Sequence, residues 1–299
     1  MKIWIKAFRL RTLPLALACI IMGNGLAYGA GRFSWFIFSL TLITTLFLQI
    51  LSNLANDFGD YSHGVDNQSR IGPERTMQAG LISRSKMISA MIVISLLCSI
   101  SGVGLILAAT GPWAWGEKII FSLLGLSAMA AALKYTMGKN PYGYAGYGDF
   151  AVFLFFGWLG VLGSYFLQVH SINGLLFLPA SALGMFTAAV LNINNMRDHK
   201  ADKKQGKRTL VVQMGFRAAR RYHLFLNFTP LLLCFLFSLY YHPQPKLMNF
   251  LYLITLPIFL RNSLEILRQD DFEAFDPFLK KQAVLTFVFS IIFAISLNF

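Results

Sequence analysis

The chain has 299 residues, 56% of them hydrophobic and only 13% charged, with a formal net charge of +13. Soluble domains carry about 25% charged residues, so a water-facing globule is excluded for want of polar surface and a polytopic membrane protein is the direct reading. Nucleic-acid binding is not needed to explain the positive charge, because the basic residues follow a membrane topology.

A membrane-crossing helix takes about 20 apolar residues, and nine such runs follow one another: 13–31, 34–55, 87–110, 117–135, 150–169, 173–195, 222–241, 247–264 and 282–298. The expected fold is therefore all-α, a single nine-helix transmembrane bundle over residues 1–299. The first run, with its basic start and the "AYGAG" after it, resembles a signal peptide; eight further runs follow, so a retained anchor helix is expected. Connections near 112–117 and 170–172 are short and predict tight antiparallel hairpins. Pro257 interrupts the eighth run. Cys19, Cys98 and Cys234 lie singly inside runs, form no C-x-x-C pair and say nothing of redox compartment.

With the N-terminus on the cytoplasmic side, all of the 26 Lys and Arg residues except Arg32, Lys118 and Lys246 fall on the inner face. That is the positive-inside pattern. Of the 13 acidic residues only Glu117 falls outside.

The inner acids form two groups. "NDFGDYSHGVD" places Asn56, Asp57, Asp60 and Asp66 directly after the second run, and "NINNMRDHKADKKQGKRT" places Asn194, Asn195, Asp198 and Asp202 directly after the sixth. Asn56–Asp60 and Asn194–Asp198 share one spacing and are offset by 138 residues, which reads as a weak internal duplication. On helices continuing past the membrane, i, i+4 pairs project from one face, and Asp57 at i, i+3 to Asp60 is expected on nearly the same stripe. Helix capping accounts for any one of these residues, but less well for two spaced groups in an acid-poor chain. An EF-hand is excluded, because its alternating ligands and terminal Glu are missing.

Basic residues interleave with the acids: Arg70 and Arg75 follow the first group, Lys207 and Arg208 the second. Magnesium takes one or two carboxylates and completes its shell with phosphate oxygens and water, while cations hold the remaining phosphate charge. The pattern describes a metal–diphosphate site better than a bare ion site.

On these residues the chain resembles the UbiA-type intramembrane aromatic prenyltransferases, whose motifs read Asn-Asp-x-x-Asp with a further Asp, and Asp-x-x-x-Asp, each after an even-numbered helix. "RLRTLPLAL", "RIGPERTMQAG", "KYTMGKNPYGYAGYGD" and "NNMRDHKADKKQGKRTL" are similar to the menaquinone-pathway branch of that family, which prenylates 1,4-dihydroxy-2-naphthoate. The resemblance spans residues 9 to 210. It implies Mg²⁺, a polyprenyl diphosphate donor and an acceptor that loses CO₂, in the lipid bilayer of a bacterial plasma membrane with the site facing the cytoplasm. Asn56, Asp57, Asp60, Asp66, Asn194, Asp198 and Asp202 are then the expected metal-holding residues, with Asp57, Asp60, Asp198 and Asp202 central to catalysis. Arg70, Arg75, Tyr135, Lys139, Lys207 and Arg208 are the expected diphosphate contacts. The glycine-rich stretch 138–149 is expected to cap the site. His63 and His199 are the two imidazoles beside the acids, each open to a role as base or to an incidental place at the interface.

Two other readings stand beside this one. A carrier accounts for a duplicated architecture and membrane acids, although acids crowded at one face fit a midplane site poorly. A related enzyme with a hydroxybenzoate or homogentisate acceptor would carry the same acids.

Overall fold

A computed structural model describes residues 2–65, 75–109, 115–272 and 274–298, the side chain of Glu117 excepted. Asp66 and Arg70 lie outside the described residues. No strand occurs among those described. The helices are α1 (Lys2–Phe8), α2 (Leu13–Gly29), α3 (Trp35–Ser62), α4 (Arg84–Ala109), α5 (Trp115–Lys134), α6 (Gly148–Val169), α7 (Phe177–Lys204), α8 (Leu210–Met214), α9 (Phe216–Tyr241), α10 (Leu256–Arg268) and α11 (Phe275–Ser296).

Eight helical stretches are long and apolar enough to cross a membrane. The fourth expected run is also present, as the 20-residue α5. In the eighth, a 3₁₀ stretch Leu247–Thr255 precedes α10, and Pro257 sits in the first turn of α10, where its missing N–H costs nothing. The fifth widens to i→i+5 hydrogen bonding over Phe153–Leu162. There Gly157 lets α6 lie on α7, since a Cβ would stand 2.6 Å from Ala180 O and 2.9 Å from Gly184 Cα.

The largest core joins α2, α6, α7, α9 and α11 through residues such as Met22, Val161, Phe186, Phe237 and Phe289. Phe186 stacks on Phe259 with centroids 4.6 Å apart. A buried polar ladder ties the last three long helices: Asn262 Nδ2 donates to Gln282 Oε1 (3.0 Å), and Gln282 Nε2 donates to Asn227 Oδ1 (2.6 Å). Such interhelical bonds contribute about 0.6–2 kcal/mol each in lipid. By contrast α4 and α5 turn Leu96, Ile100, Leu107, Leu123 and Leu126 outward. Apolar surface that extensive requires lipid as its solvent; the protein is an integral membrane protein.

Candidate active site

The described members of the two acidic groups ride on α3 and α7, which both continue beyond the apolar runs 34–55 and 173–195 as helix. Their ends meet at the mouth of a cavity of about 440 Å³. Asn56, Asp60, Asn194, Asn195, Asp198 and Asp202 line the mouth, while Leu105, Phe121, Leu124 and Leu167 line its apolar reach between α4, α5 and α6.

Asp60 is the electrostatic centre, with a side chain only 5% exposed. Arg75 Nη1 lies 2.5 Å from its Oδ2, Lys207 Nζ lies 3.4 Å from its Oδ1, and the Tyr144 hydroxyl donates to Oδ1. Lys207 also reaches Asp202 Oδ1 at 3.5 Å, so one ammonium bridges a carboxylate from each helix. The same ammonium lies 4.4 Å above the Tyr144 ring. Arg75 Nη1 further donates to Asn56 O at 2.6 Å. Buried carboxylates persist only with such partners.

On α7, the i, i+4 spacing does what the pattern predicts: Asn194, Asp198 and Asp202 all face the cavity. Asp57 does not. Its Oδ2 accepts from Thr76 Oγ1 at 2.5 Å, its buried Oδ1 accepts no hydrogen bond among the described residues, and it is absent from the cavity wall. Three residues along a helix turn about 300°, so Asp57 and Asp60 point about 60° apart, enough here to aim Asp57 at the loop after Arg75 instead. The expectation of one stripe is corrected accordingly. Lys139 and Arg208 are exposed and lie off the cavity. The Arg208 backbone N–H instead donates to Tyr144 O at 2.7 Å, helping to place the Tyr144 ring.

The glycine-rich stretch reaches the first acidic group through the Tyr144 hydroxyl on Asp60, and it is tied down. Tyr142, Gly143 and Tyr144 line the cavity; the Tyr142 hydroxyl donates to Ala131 O at 2.9 Å. Burial pushes that phenol up to about 12, which keeps it a neutral donor. Tyr135 lines the cavity, edge-on to Tyr142 at 5.4 Å. Both ring nitrogens of His63 face backbone carbonyls, Gly59 O at 2.8 Å and Gly138 O at 3.0 Å. His199 stacks on Phe272. Neither imidazole lines the cavity.

Gly59, inside the first motif, is required by close approach. A Cβ there would meet Thr136 Oγ1 at 2.5 Å and Thr136 O at 2.6 Å. That approach lets Thr136 Oγ1 donate to Ala55 O (3.0 Å) and touch Asn56 Oδ1 (3.2 Å). Gly59→Ala is expected to destabilise the protein by about 1–3 kcal/mol through overpacking; the unfolding midpoint in detergent checks it.

Sequence reasoning missed several residues at the mouth. Arg9 and Arg11, topology charges that open the motif "RLRTLPLAL" but carry no site role in the sequence reading, both line the cavity. Arg9 has left-handed backbone angles (φ 49°) at the break between α1 and the 3₁₀ turn Leu10–Thr12, a conformation uncommon for a non-glycine residue. Asn53 Nδ2 anchors this break by donating to Phe8 O (2.9 Å) and Thr12 Oγ1 (3.0 Å). The run "RLRTLP" was a visible signal; its contact with α3 was not.

Around the mouth the donors are carboxylate and amide oxygens, a set suited to a hard divalent cation. Among the described residues, no three acidic, His or Cys groups converge on one point. An ion that takes one or two carboxylates and fills its shell with phosphate and water needs no such cluster. The donor set fits that ion.

Comparison with known proteins gives the family and the fold. The model of the UbiA prenyltransferase family matches residues 16–295. The chain is 43% identical to the 1,4-dihydroxy-2-naphthoate octaprenyltransferase of Escherichia coli (strain K12), covering 95% of this chain and 92% of that protein. It is 38% identical to the protein of the same description from Haemophilus influenzae, covering 99% and 96%. In fold it is similar to a UbiA homologue from Archaeoglobus fulgidus bound to GPP and Mg²⁺ (TM-score 0.65, 17% identity, 99% of each chain). An apo UbiA homologue from Aeropyrum pernix K1 is also similar (TM-score 0.68, 14% identity, 96% and 98%).

Proposed function

The chain belongs to the UbiA prenyltransferase family, and we propose that it transfers a polyprenyl group from polyprenyl diphosphate to 1,4-dihydroxy-2-naphthoate, releasing diphosphate and CO₂ to give demethylmenaquinone. The observation that carries this reading is the Lys207 ammonium shared by Asp60 and Asp202 at the mouth of an apolar cavity. Acids from two helices and a cation meet there, where a diphosphate head would lie with its tail in the apolar reach. The acceptor reading is supported by the identity to the two octaprenyltransferases over nearly the whole chain.

Asp60, Asp198 and Asp202, with Asn56 and Asn194, would hold Mg²⁺. When bound, Mg²⁺ stabilises the charge that grows on the diphosphate as the allylic C–O bond breaks. Arg75 and Lys207, now on Asp60, are placed to turn to phosphate oxygens. Tyr135 and Tyr144 offer hydroxyls at the same mouth. Phe121, Phe155 and Phe156 line the wall, where ring faces stabilise an allylic cation and apolar surface keeps water from it. Asp57 supports the loop after Arg75 through Thr76. Nine spans, an inward N-terminus and a cytoplasmic-facing site in the bacterial inner membrane complete the reading, supported by the basic residues crowding one face.

Membranes containing the protein, given labelled dihydroxynaphthoate, a polyprenyl diphosphate and Mg²⁺, are expected to form prenylated product, and excess EDTA to abolish it. Turnover only after exchange for a hydroxybenzoate-type ring, or no product at all, overturns the reading.

A further inference from the structure

Arg197 has no exposed side-chain surface, yet neither Arg197 nor its distant partner lines the cavity. Its Nε donates to Asp198 Oδ1 (2.9 Å), and Nη2 donates to Asp198 Oδ2 (2.8 Å) and Asn194 Oδ1 (2.9 Å). Its Nη1 donates to Asp276 Oδ1 at 2.5 Å, across 79 positions of sequence. Asp276 sits in the first turn of α11 and also receives Arg11 Nη1 at 3.4 Å. Charges therefore alternate along one line, Arg11, Asp276, Arg197, Asp198, and the line ends on a cavity-lining carboxylate.

We infer that Asp276 and Arg197 are positioning residues for the second acidic motif: together they fix Asn194 and Asp198 for the divalent cation and make α11 part of the affinity for metal diphosphate. This rests on the metal–diphosphate reading above. A guanidinium held on three carboxylate or amide partners cannot rotate, so the bidentate fork sets the plane of the Asp198 carboxylate. Asp276 also takes up part of the guanidinium charge. Without it, Arg197 would bind Asp198 more tightly and compete with the cation for the same oxygens. Outer hydrogen-bond partners of metal-holding side chains are worth about 10–100-fold in metal affinity. The two motifs thereby differ. Asp60 is countered by Arg75 and Lys207, each 12% exposed at the mouth and able to turn to a ligand, whereas Asp198 is countered by a cation that stays in place.

The test uses the full-length protein in detergent, with its unfolding midpoint followed as Mg²⁺ is titrated at fixed inorganic pyrophosphate. Asp276→Asn keeps the shape and removes the charge; it is expected to need about 10–100-fold more Mg²⁺ for the same stabilisation. The Mg²⁺ concentration for half-maximal turnover should rise in parallel, with KM for the aromatic acceptor unchanged. Arg197→Lys keeps the charge but cannot bridge Asp198 and Asp276, and is expected to shift the titration likewise; it decides the matter if Asp276→Asn does not fold. Glu265→Gln, in the ion pair with Arg261 and Lys281 on neighbouring α10 and α11, is the control and should titrate as wild type. Variant titrations that superimpose on wild type, whatever the baseline midpoint, overturn the inference alone. A wild-type protein that Mg²⁺ and pyrophosphate do not stabilise overturns the metal–diphosphate reading and the inference with it.

Discussion

Asp60→Asn is expected to lower turnover by about 10³-fold or more, the scale of losing one preorganised electrostatic group at a reacting centre, while leaving the fold in place. The substitution keeps the size of the side chain and an oxygen to accept from the Tyr144 hydroxyl. What it removes is a charged oxygen at the point where both helix ends meet Arg75 and Lys207. Stability should change little, by about 1 kcal/mol, because neither cation is stranded. Arg75 still donates to Asn56 O at 2.6 Å, and Lys207 keeps Asp202 at 3.5 Å. Initial rates at saturating Mg²⁺, paired with an unfolding midpoint, check both halves. A full rate in the variant would remove Asp60 from the site.

The long helices were legible because lipid imposes one harsh rule, about 20 apolar residues per crossing; α3 and α4 begin and end within several residues of the expected runs. The acids were legible because charge is scarce in this chain. What sequence could not convey was which way each acid turns. Asp57 and Asp60 are three apart on one helix, yet one faces Thr76 and the other the cavity. Basic residues were hardest to read, since positive-inside topology places them on the inner face whatever their role. Lys139 and Arg208 proved to be exposed off the cavity, and Arg197, counted among the topology charges, proved to be wholly buried. Its contact with Asp276 joins segments that share no spacing in the chain, so only the packed bundle reveals it.

The difference between those cations gives the second large effect. Asp198→Asn should also cost about 10³-fold in turnover, but unlike Asp60→Asn it should destabilise the protein, by about 3 kcal/mol, the cost of breaking a buried ion pair from one side. Arg197 keeps Asp276 at 2.5 Å, but that charge is already shared with Arg11, and unlike Lys207 it cannot reach water to make up for the lost carboxylate. The two duties of Asp198 can then be separated. In Arg197→Met with Asp198→Asn, the under-countered charge is gone and an apolar side chain fills its space, so the unfolding midpoint should return toward wild type, as replacement of buried ion pairs by apolar groups often allows. Turnover should not return, because the carboxylate facing the cavity is still missing. Recovery of both would mean that Asp198 serves the fold alone; recovery of neither would mean that Arg197 holds the helix ends by more than its charge.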